Sequence, residues 1–187
     1  MNTHVRTRYT SENTFALIVD VQQRLMTAMH EGGALSRALT RFVRGLRLLE
    51  VPAIYTEQYP QGLGGTIGAL SVELEGLPRG EKREFSCMRN SDVAALLPGT
   101  HENRTLLVAG IETHVCVQQT VVDALREGYA VTVIADAVSS RSARDRDTAL
   151  RHMAAEGARI STAEAVLFEI CEVSGTSRFK ALSRILR

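Results

Sequence analysis

The sequence predicts an α/β protein with three layers, in which helices cover both faces of a parallel β-sheet. Short apolar runs alternate along the chain with amphipathic stretches, a pattern typical of repeated β-α-β units. Right-handed crossovers between parallel strands place the connecting helices on both faces. Because 187 residues correspond to one such domain, we expect residues 1–187 to form a single Rossmann-like domain with six parallel strands in the order 3-2-1-4-5-6.

The first third of the chain contains two strands and the helix between them. TFALIVDVQ (Thr14 to Gln22) is an apolar run that we interpret as a buried strand ending at Asp20. LSRALTRFVRGLRLLE carries apolar residues at the spacing of one helix face, namely Leu35, Leu39, Phe42, Val43, Leu46 and Leu49. Pro52 ends that helix, and AIYTE follows as the second strand.

The middle of the chain is less regular. QYPQGLGGTIGAL is rich in glycine and long enough to be a functional loop. KREFSC is predicted as the third strand, beginning near Lys82, and Ser91 and Asp92 are expected to cap the short helix VAALL. RTLLVAG is predicted as the fourth strand. The helix after it opens at about Thr113 and holds Cys116 in its first turn.

The last part of the chain completes the alternation. YAVTVIAD is the predicted fifth strand, and Asp136 at its end is expected to bind loop backbone. ARDRDTALRHMAAEG is a helix that Gly157 ends, and ARIST is the sixth strand. The tail SRFKALSRILR is a basic amphipathic helix that packs either on its own domain or on a partner.

Composition disfavours several classes of partner. The net charge is +1, Trp is absent and aromatic residues make up 5%, so we expect neither nucleic acid nor a membrane surface as a partner. No apolar run approaches the length of a transmembrane helix, and the N-terminal MNTHVRTRYTSEN lacks the apolar core of a signal peptide. The three cysteines, Cys87, Cys116 and Cys171, form no CxxC or Cys/His cluster, which favours free thiols in a reducing cytoplasm.

Two side chains with possible catalytic roles are predicted to meet at the sheet. Strands 1 and 4 are neighbours in the predicted order, and their connections leave in opposite directions, which opens a crevice at their carboxyl ends. Asp20 ends strand 1 and Cys116 follows strand 4, so we expect both at this crevice. Lys82 opens the predicted third strand on the same side.

Cys116 is a candidate nucleophile because of its predicted position at a helix N-terminus. The unpaired N–H groups and the helix macrodipole favour a thiolate there and can stabilise an oxyanion. Asp20 can accept the thiol proton, and Lys82 favours both anions. The alternative is structural: the cysteine packs as a small hydrophobe, the aspartate caps a loop and the lysine is solvated. We interpret Cys87 and Cys171 as structural thiols.

Several segments together resemble a known family. LIVDVQ, Lys82 in EKREFS, and VAGIETHVCVQQTVVDALREGYAVTVIADAVSSR are similar to the isochorismatase-like cysteine hydrolase superfamily, from about Phe15 to about Leu182. RLLEVPAIYTEQYPQGLG and DAVSSRSARDRDTALRHMAAEGARISTAEAVLFEI are most similar to its isochorismatase-domain-containing branch. The resemblance implies one hydrolase domain with its core at about residues 14–182.

The resemblance also implies a catalytic triad and an oxyanion hole. Asp20 would be the base, Lys82 the residue that stabilises charge, and Cys116 the nucleophile. A cis peptide bond, Ile111–Glu112, would turn the amide of Glu112 towards the same point as the amide of Cys116. These two N–H groups would form the oxyanion hole.

The chain departs from part of the family pattern. Metal-dependent relatives carry an Asp/His cluster after strand 2, where this chain has TEQYPQGLGG, so we expect no catalytic metal and no cofactor. Nicotinamide is disfavoured as a substrate for the same reason. True isochorismatases cleave a vinyl ether without a nucleophilic cysteine, so Cys116 indicates acyl chemistry instead.

The sequence therefore predicts an amidase-type cysteine hydrolase that cleaves a non-peptide C–N bond of a small molecule through a thioester. Gln22, Gln58, Tyr59 and His114 are expected to line the substrate pocket, although His114 is equally interpreted as a rim residue with no role. The resemblance implies a homo-oligomer. The alternatives are a redox-sensitive protein or a non-catalytic binding protein. A nucleotide-binding protein is disfavoured, because DVQQRL stands where a GxGxxG would follow strand 1.

Overall fold

Six parallel strands form one sheet within residues 8–98 and 104–187, the parts of the chain that the computed structural model describes. They are β1 (Thr14–Val19), β2 (Ala53–Gln58), β3 (Arg79–Lys82), β4 (Thr105–Ile111), β5 (Ala130–Ser139) and β6 (Arg159–Ser161). The order across the sheet is β3-β2-β1-β4-β5-β6, and every neighbouring pair is parallel. The predicted fold class, strand number and strand order are confirmed.

Helices connect these strands and flank the sheet. Their bounds are α1 (Gln23–Met26), α2 (Gly32–Leu48), α3 (Pro60–Leu63), α4 (Gly68–Ser71), α5 (Ser91–Ala94), α6 (Gln118–Arg126), α7 (Ala143–Ala155), α8 (Ala163–Cys171) and α9 (Ser177–Leu186). No helix in the described ranges combines the length and the apolar character that a membrane span requires. Residues 1–7, the first part of the N-terminal segment MNTHVRTRYTSEN, lie outside the described residues.

Alternate residues of the strands pack against opposite helix layers. In β1, Ala16 and Ile18 belong to the core shared with α2, α8 and α9, whereas Leu17 and Val19 belong to the core shared with α6 and α7. Side chains of a strand alternate between the two faces, so a strand buried on both faces is apolar throughout. The predicted helix face of α2 is buried against the sheet as expected.

The third strand is the element whose predicted bounds were wrong. β3 ends at Lys82, which pairs with Gln58 of β2, rather than beginning there. After it the chain enters a 3-10 turn over Cys87–Arg89. β3 lies at the edge of the sheet, where charged residues are tolerated. The segment Arg79–Lys82 therefore has no apolar run that predicts a strand.

Smaller differences concern loops and caps. The predicted glycine-rich loop contains the short helices α3 and α4, and AEAVLFEI forms α8, which periodicity had not identified. Asn90, rather than Ser91 or Asp92, caps α5, because its side-chain oxygen accepts the N–H of Val93 at 3.1 Å. Strand β5 continues three residues beyond Asp136 to Ser139.

Strands β1 and β4 approach each other closely at Gly110. This glycine has φ +117°, and a Cβ atom there would lie 2.1 Å from the backbone oxygen of Val19. Only glycine avoids that overlap and adopts this backbone conformation readily. The close approach brings together the ends of the two strands that precede Asp20 and Cys116.

Candidate active site

The three residues of the predicted triad lie together at the carboxyl edge of the sheet. Asp20 follows β1, Lys82 is the last residue of β3, and Cys116 lies in the turn between β4 and α6. Lys82 reaches across the end of β2, and its Nζ donates to Oδ2 of Asp20 at 2.6 Å. The exposed fractions are only 0% for Asp20, 3% for Lys82 and 6% for Cys116. The site is therefore a nearly dry, charged cluster.

Asp20 is held by both its backbone and its side chain. Its φ of +51° is in the left-handed region, which aspartate tolerates better than most residues. The N–H of Asp20 donates to the carbonyl of Thr56 at 3.1 Å, and the Thr56 hydroxyl donates to Oδ1 at 2.7 Å. Both carboxylate oxygens therefore accept a hydrogen bond before any substrate arrives.

Lys82 is a buried cation whose acceptors are supplied by several segments. Besides Asp20, its Nζ donates to Oε1 of Gln58 at 2.7 Å and to the carbonyls of Glu84 and Phe85 at 3.2 Å. Burial by itself would lower the pKa of Lys82, but the negative charge of Asp20 and its hydrogen bond to Nζ raise that pKa. Lys82 is therefore charged at neutral pH.

Cys116 lies in a π-helical turn, Thr113–Val117, rather than in the first turn of an α-helix. The peptide bond between Ile111 and Glu112 is cis. The Glu112 carbonyl accepts the N–H groups of Val115 at 3.1 Å and Val117 at 3.2 Å. Such wide turns occur often at functional sites, where they re-aim a side chain. Here the turn places Cys116 Sγ 4.0 Å from Oε1 of Gln58.

The thiol of Cys116 differs from the expectation of a stabilised thiolate. Burial raises its pKa strongly, and the negative charge of Asp20 raises it further, while Lys82 offsets only part of the effect. The α-helix itself begins two residues later, at Gln118. The site therefore holds a protonated thiol beside a carboxylate.

Of the four expected pocket residues, Gln58 contacts the triad through its side chain, whereas Gln22 and Tyr59 bind Asp20 and Lys82 through backbone N–H groups. Oε1 of Gln58 accepts from Lys82, and its Nε2 donates to the carbonyl of Arg83 at 2.6 Å. Gln22 is fully buried, and its amide donates to the carbonyls of Gln58 and Gly64 at 3.0 and 2.6 Å. Both side-chain amide protons of Gln22 therefore bind backbone carbonyls at the end of β2 and in the loop after it, which indicates a structural role.

The other two expected pocket residues lie further out. Tyr59 is 43% exposed, and the guanidinium carbon of Arg83 lies 4.7 Å from the centre of its ring. His114 is half-buried, and its Nδ1 is 2.9 Å from Oγ of Ser140. The side chains of Tyr59 and His114 thus bind Arg83 and Ser140 rather than Lys82 or Asp20. Their roles as substrate contacts stay predictions.

An open cavity of about 300 Å³ lies beside the triad and shares Lys82 with it. Its lining is mostly polar and consists of Tyr59, Pro60, Gln61, Glu81, Lys82, Arg83, Glu84 and Asn90. Gln58, which touches both Lys82 and Cys116, connects this cavity to the thiol. Among residues 8–98 and 104–187, no group of three or more His, Cys, Asp or Glu side chains could hold a metal ion.

The site contains two further residues that the sequence did not predict. Thr56 is 1% exposed and contacts Asp20, and Cys87 is fully buried with its Sγ 3.8 Å from Oγ1 of Thr56. Burial raises the pKa of Cys87 to about 11. The position of Thr56 near the carboxyl end of β2, beside β1, was an available signal. Cys87 lies after the third strand, whose bounds were predicted wrongly.

The chain is similar in sequence to known proteins over most of its length. Residues 14–165 match the model of the isochorismatase domain. The chain is 36% identical over 170 residues to isochorismatase domain-containing protein 1 of Salmo salar. That alignment covers 90% of this chain but only 59% of the length of the relative. It is 32% identical over 179 residues to isochorismatase domain-containing protein 2 of Danio rerio, covering 96% of this chain and 89% of the relative.

A solved structure is also similar. It is described as the MAR1 ribonuclease from Caenorhabditis elegans, which superimposes with a TM-score of 0.88 at 33% identity. The comparison covers 96% of this chain and 92% of that one. The likeness therefore extends over nearly the whole α/β sheet and its flanking helices.

Proposed function

The chain belongs to the isochorismatase family, and from that premise we propose that it is a cysteine-dependent hydrolase of a small amide or related acyl compound. The proposal depends on one observation above all. The buried carboxylate of Asp20 is bound to Lys82 at 2.6 Å and lies beside the thiol of Cys116. A nucleophile, a proton acceptor and a fixed cation are the groups that acyl transfer requires.

The first step forms a bond between Cys116 Sγ and the carbonyl carbon of the substrate. The thiol proton passes to Asp20 as the bond forms, and the carbonyl oxygen becomes an oxyanion. We assign the oxyanion hole to the backbone N–H groups of Glu112 and Cys116. Donors that are already oriented in a dry site stabilise such a charge more than water does.

The second step breaks the C–N bond. Asp20 returns its proton to the leaving nitrogen, the oxyanion collapses, and a thioester to Cys116 remains. A water molecule then attacks the thioester carbon while Asp20 takes one of its protons, and the acid leaves as the thiol is reprotonated. Lys82 keeps its charge throughout and stabilises Asp20 whenever that carboxylate is ionised.

A protonated resting thiol fits this sequence of steps. Because its pKa is raised, the wild-type Cys116 thiol becomes a nucleophile at neutral pH by passing its proton to Asp20. A thiol that is 6% exposed and protonated is also a poor target for peroxide, which oxidises thiolates. This observation favours the hydrolase over the redox-sensitive alternative.

The test is a screen of small primary amides and N-acyl compounds with the purified chain. Turnover should be lost in Cys116→Ala and Asp20→Asn but kept in Cys171→Ala, which alters a cysteine at the end of α8. Hydroxylamine added during turnover should yield a hydroxamate from the acyl group. Hydrolysis that persists in Cys116→Ala would contradict the nucleophile assignment.

Ribonuclease activity is the competing candidate, because the similar structure from C. elegans is described as a ribonuclease. The small exposure of the triad, 0% to 6%, favours a small molecule over a polymer whose backbone must reach the reacting atoms. Single-stranded RNA therefore belongs in the same screen. Cleavage of RNA that disappears in Cys116→Ala, with no amide turned over, would favour the competing activity.

A further inference from the structure

We propose that Thr56 is a positioning residue that keeps Asp20 oriented for its exchange of a proton with Cys116. The inference rests on the proposed function, because it assigns Asp20 the role of proton acceptor. Thr56 touches Asp20 twice: its hydroxyl donates to Oδ1 at 2.7 Å, and its carbonyl accepts the Asp20 N–H at 3.1 Å. The two residues are 1% and 0% exposed, so water does not compete for either bond.

The direction of the Thr56 hydroxyl follows from the group behind it. Sγ of Cys87 lies 3.8 Å from Oγ1 of Thr56, and burial raises the pKa of Cys87 to about 11, which keeps that thiol protonated. A hydroxyl has one proton to donate and two lone pairs that accept. With the Cys87 S–H directed at one lone pair, the proton of Thr56 is left for Asp20. The chain of donors therefore runs from Cys87 through Thr56 to Asp20.

The groups that face Asp20 come from four segments. Lys82 at the end of β3 and Thr56 in β2 donate to its two oxygens, Cys116 approaches from the turn after β4, and Cys87 lies behind Thr56 in the 3-10 turn. The Thr56 hydroxyl fixes Oδ1 of Asp20, as Lys82 fixes Oδ2. Removal of that hydroxyl should therefore loosen the orientation of the Asp20 carboxylate.

The matched variants are Thr56→Val, which keeps the shape but loses the donor, and Thr56→Ser, which keeps the donor. We expect Thr56→Val to lower kcat/KM about 10- to 100-fold, the size expected for the loss of one hydrogen bond to a charged group. The loss should appear mainly in kcat, with KM changed less, because Thr56 acts through Asp20. Thr56→Ser should restore most of the rate, and Cys87→Ala should lower kcat in the same direction as Thr56→Val but less.

A second readout separates this inference from the proposed function. Alkylation of Cys116 by iodoacetamide, followed by mass spectrometry, also requires the thiol proton to leave and needs no substrate. If no amide is turned over but the alkylation rate of Cys116 changes in Thr56→Val and returns to the wild-type value in Thr56→Ser, the proposed function fails and the role of Thr56 stands. If turnover depends on Cys116 while Thr56→Val keeps the wild-type kcat and alkylation rate, the role of Thr56 is refuted. Equal losses in Thr56→Val and Thr56→Ser, tracking a lowered Tm, also refute it, because they indicate a structural role alone.

Discussion

Replacement of Lys82 by methionine tests how much the buried ion pair between Lys82 and Asp20 contributes to the stability of the fold. The change keeps a long side chain but leaves the Asp20 carboxylate buried without its cation, since both side chains of the ion pair are 0% exposed. Breaking a buried pair by removing one partner costs about 3–5 kcal/mol. Because a domain is typically stable by roughly 5–15 kcal/mol, this loss would leave the variant marginally folded.

The sequence offers a matched control, because its other lysine, Lys180, lies exposed on α9. Urea unfolding at neutral pH should give Lys180→Met a free energy of unfolding within about 0.5 kcal/mol of the wild type. Addition of Asp20→Asn to Lys82→Met should recover part of the loss, because it removes the unpaired charge. A Lys82→Met variant as stable as Lys180→Met would refute the claim that this pair is a desolvated, coupled unit.

The same pair has a defined pH dependence. The pKa of Lys82 in the folded chain is raised above its ordinary value of 10.5, so the protein binds this proton more tightly when folded. The stability that the bound proton contributes is complete below pH 10.5 and is lost as the pH rises through the folded pKa. The difference in unfolding free energy between the wild type and Lys82→Met should therefore shrink at alkaline pH, which urea titrations in that range would measure.

Three further predictions concern the contact between β1 and β4, the reactivity of Cys116 and the oligomeric state. Gly110→Ala should lower Tm markedly, because the new Cβ would lie 2.1 Å from the Val19 oxygen at a φ of +117°. Gly68→Ala in α4 is the control: its Cβ would have no atom within 4 Å, so Tm should stay unchanged or rise. Asp20→Asn should speed alkylation of Cys116 at neutral pH while it abolishes turnover, because the Asp20 charge raises the pKa of that thiol; slower alkylation would contradict this electrostatic assignment. Light scattering on a sizing column should report a homo-oligomer larger than the 20.5 kDa chain, and a monomer at all concentrations would overturn that expectation.

The sequence by itself determined the sheet and the edge where the site lies. Apolar runs that alternate with amphipathic helices leave few topologies once right-handed crossovers are required, and the observed strand order is the predicted one. Residues that follow neighbouring parallel strands lie at the same edge of the sheet, which is why Asp20 and Cys116 could be paired in advance. The resemblance added Lys82, although the strand that carries it was misplaced.

Only the tertiary structure decided which atoms meet at that edge and how they ionise. Thr56 joins the site through the register of β2 beside β1, and Cys87 joins it through a turn after an edge strand. Neither arrangement leaves a periodic signal in the sequence. Gln22 is used by the backbone of a loop that no local pattern could place. The thiol of Cys116 is protonated rather than ionised because burial and the charge of Asp20 outweigh Lys82. Such a balance depends on distances between residues far apart in the chain, and these exist only once the chain has folded.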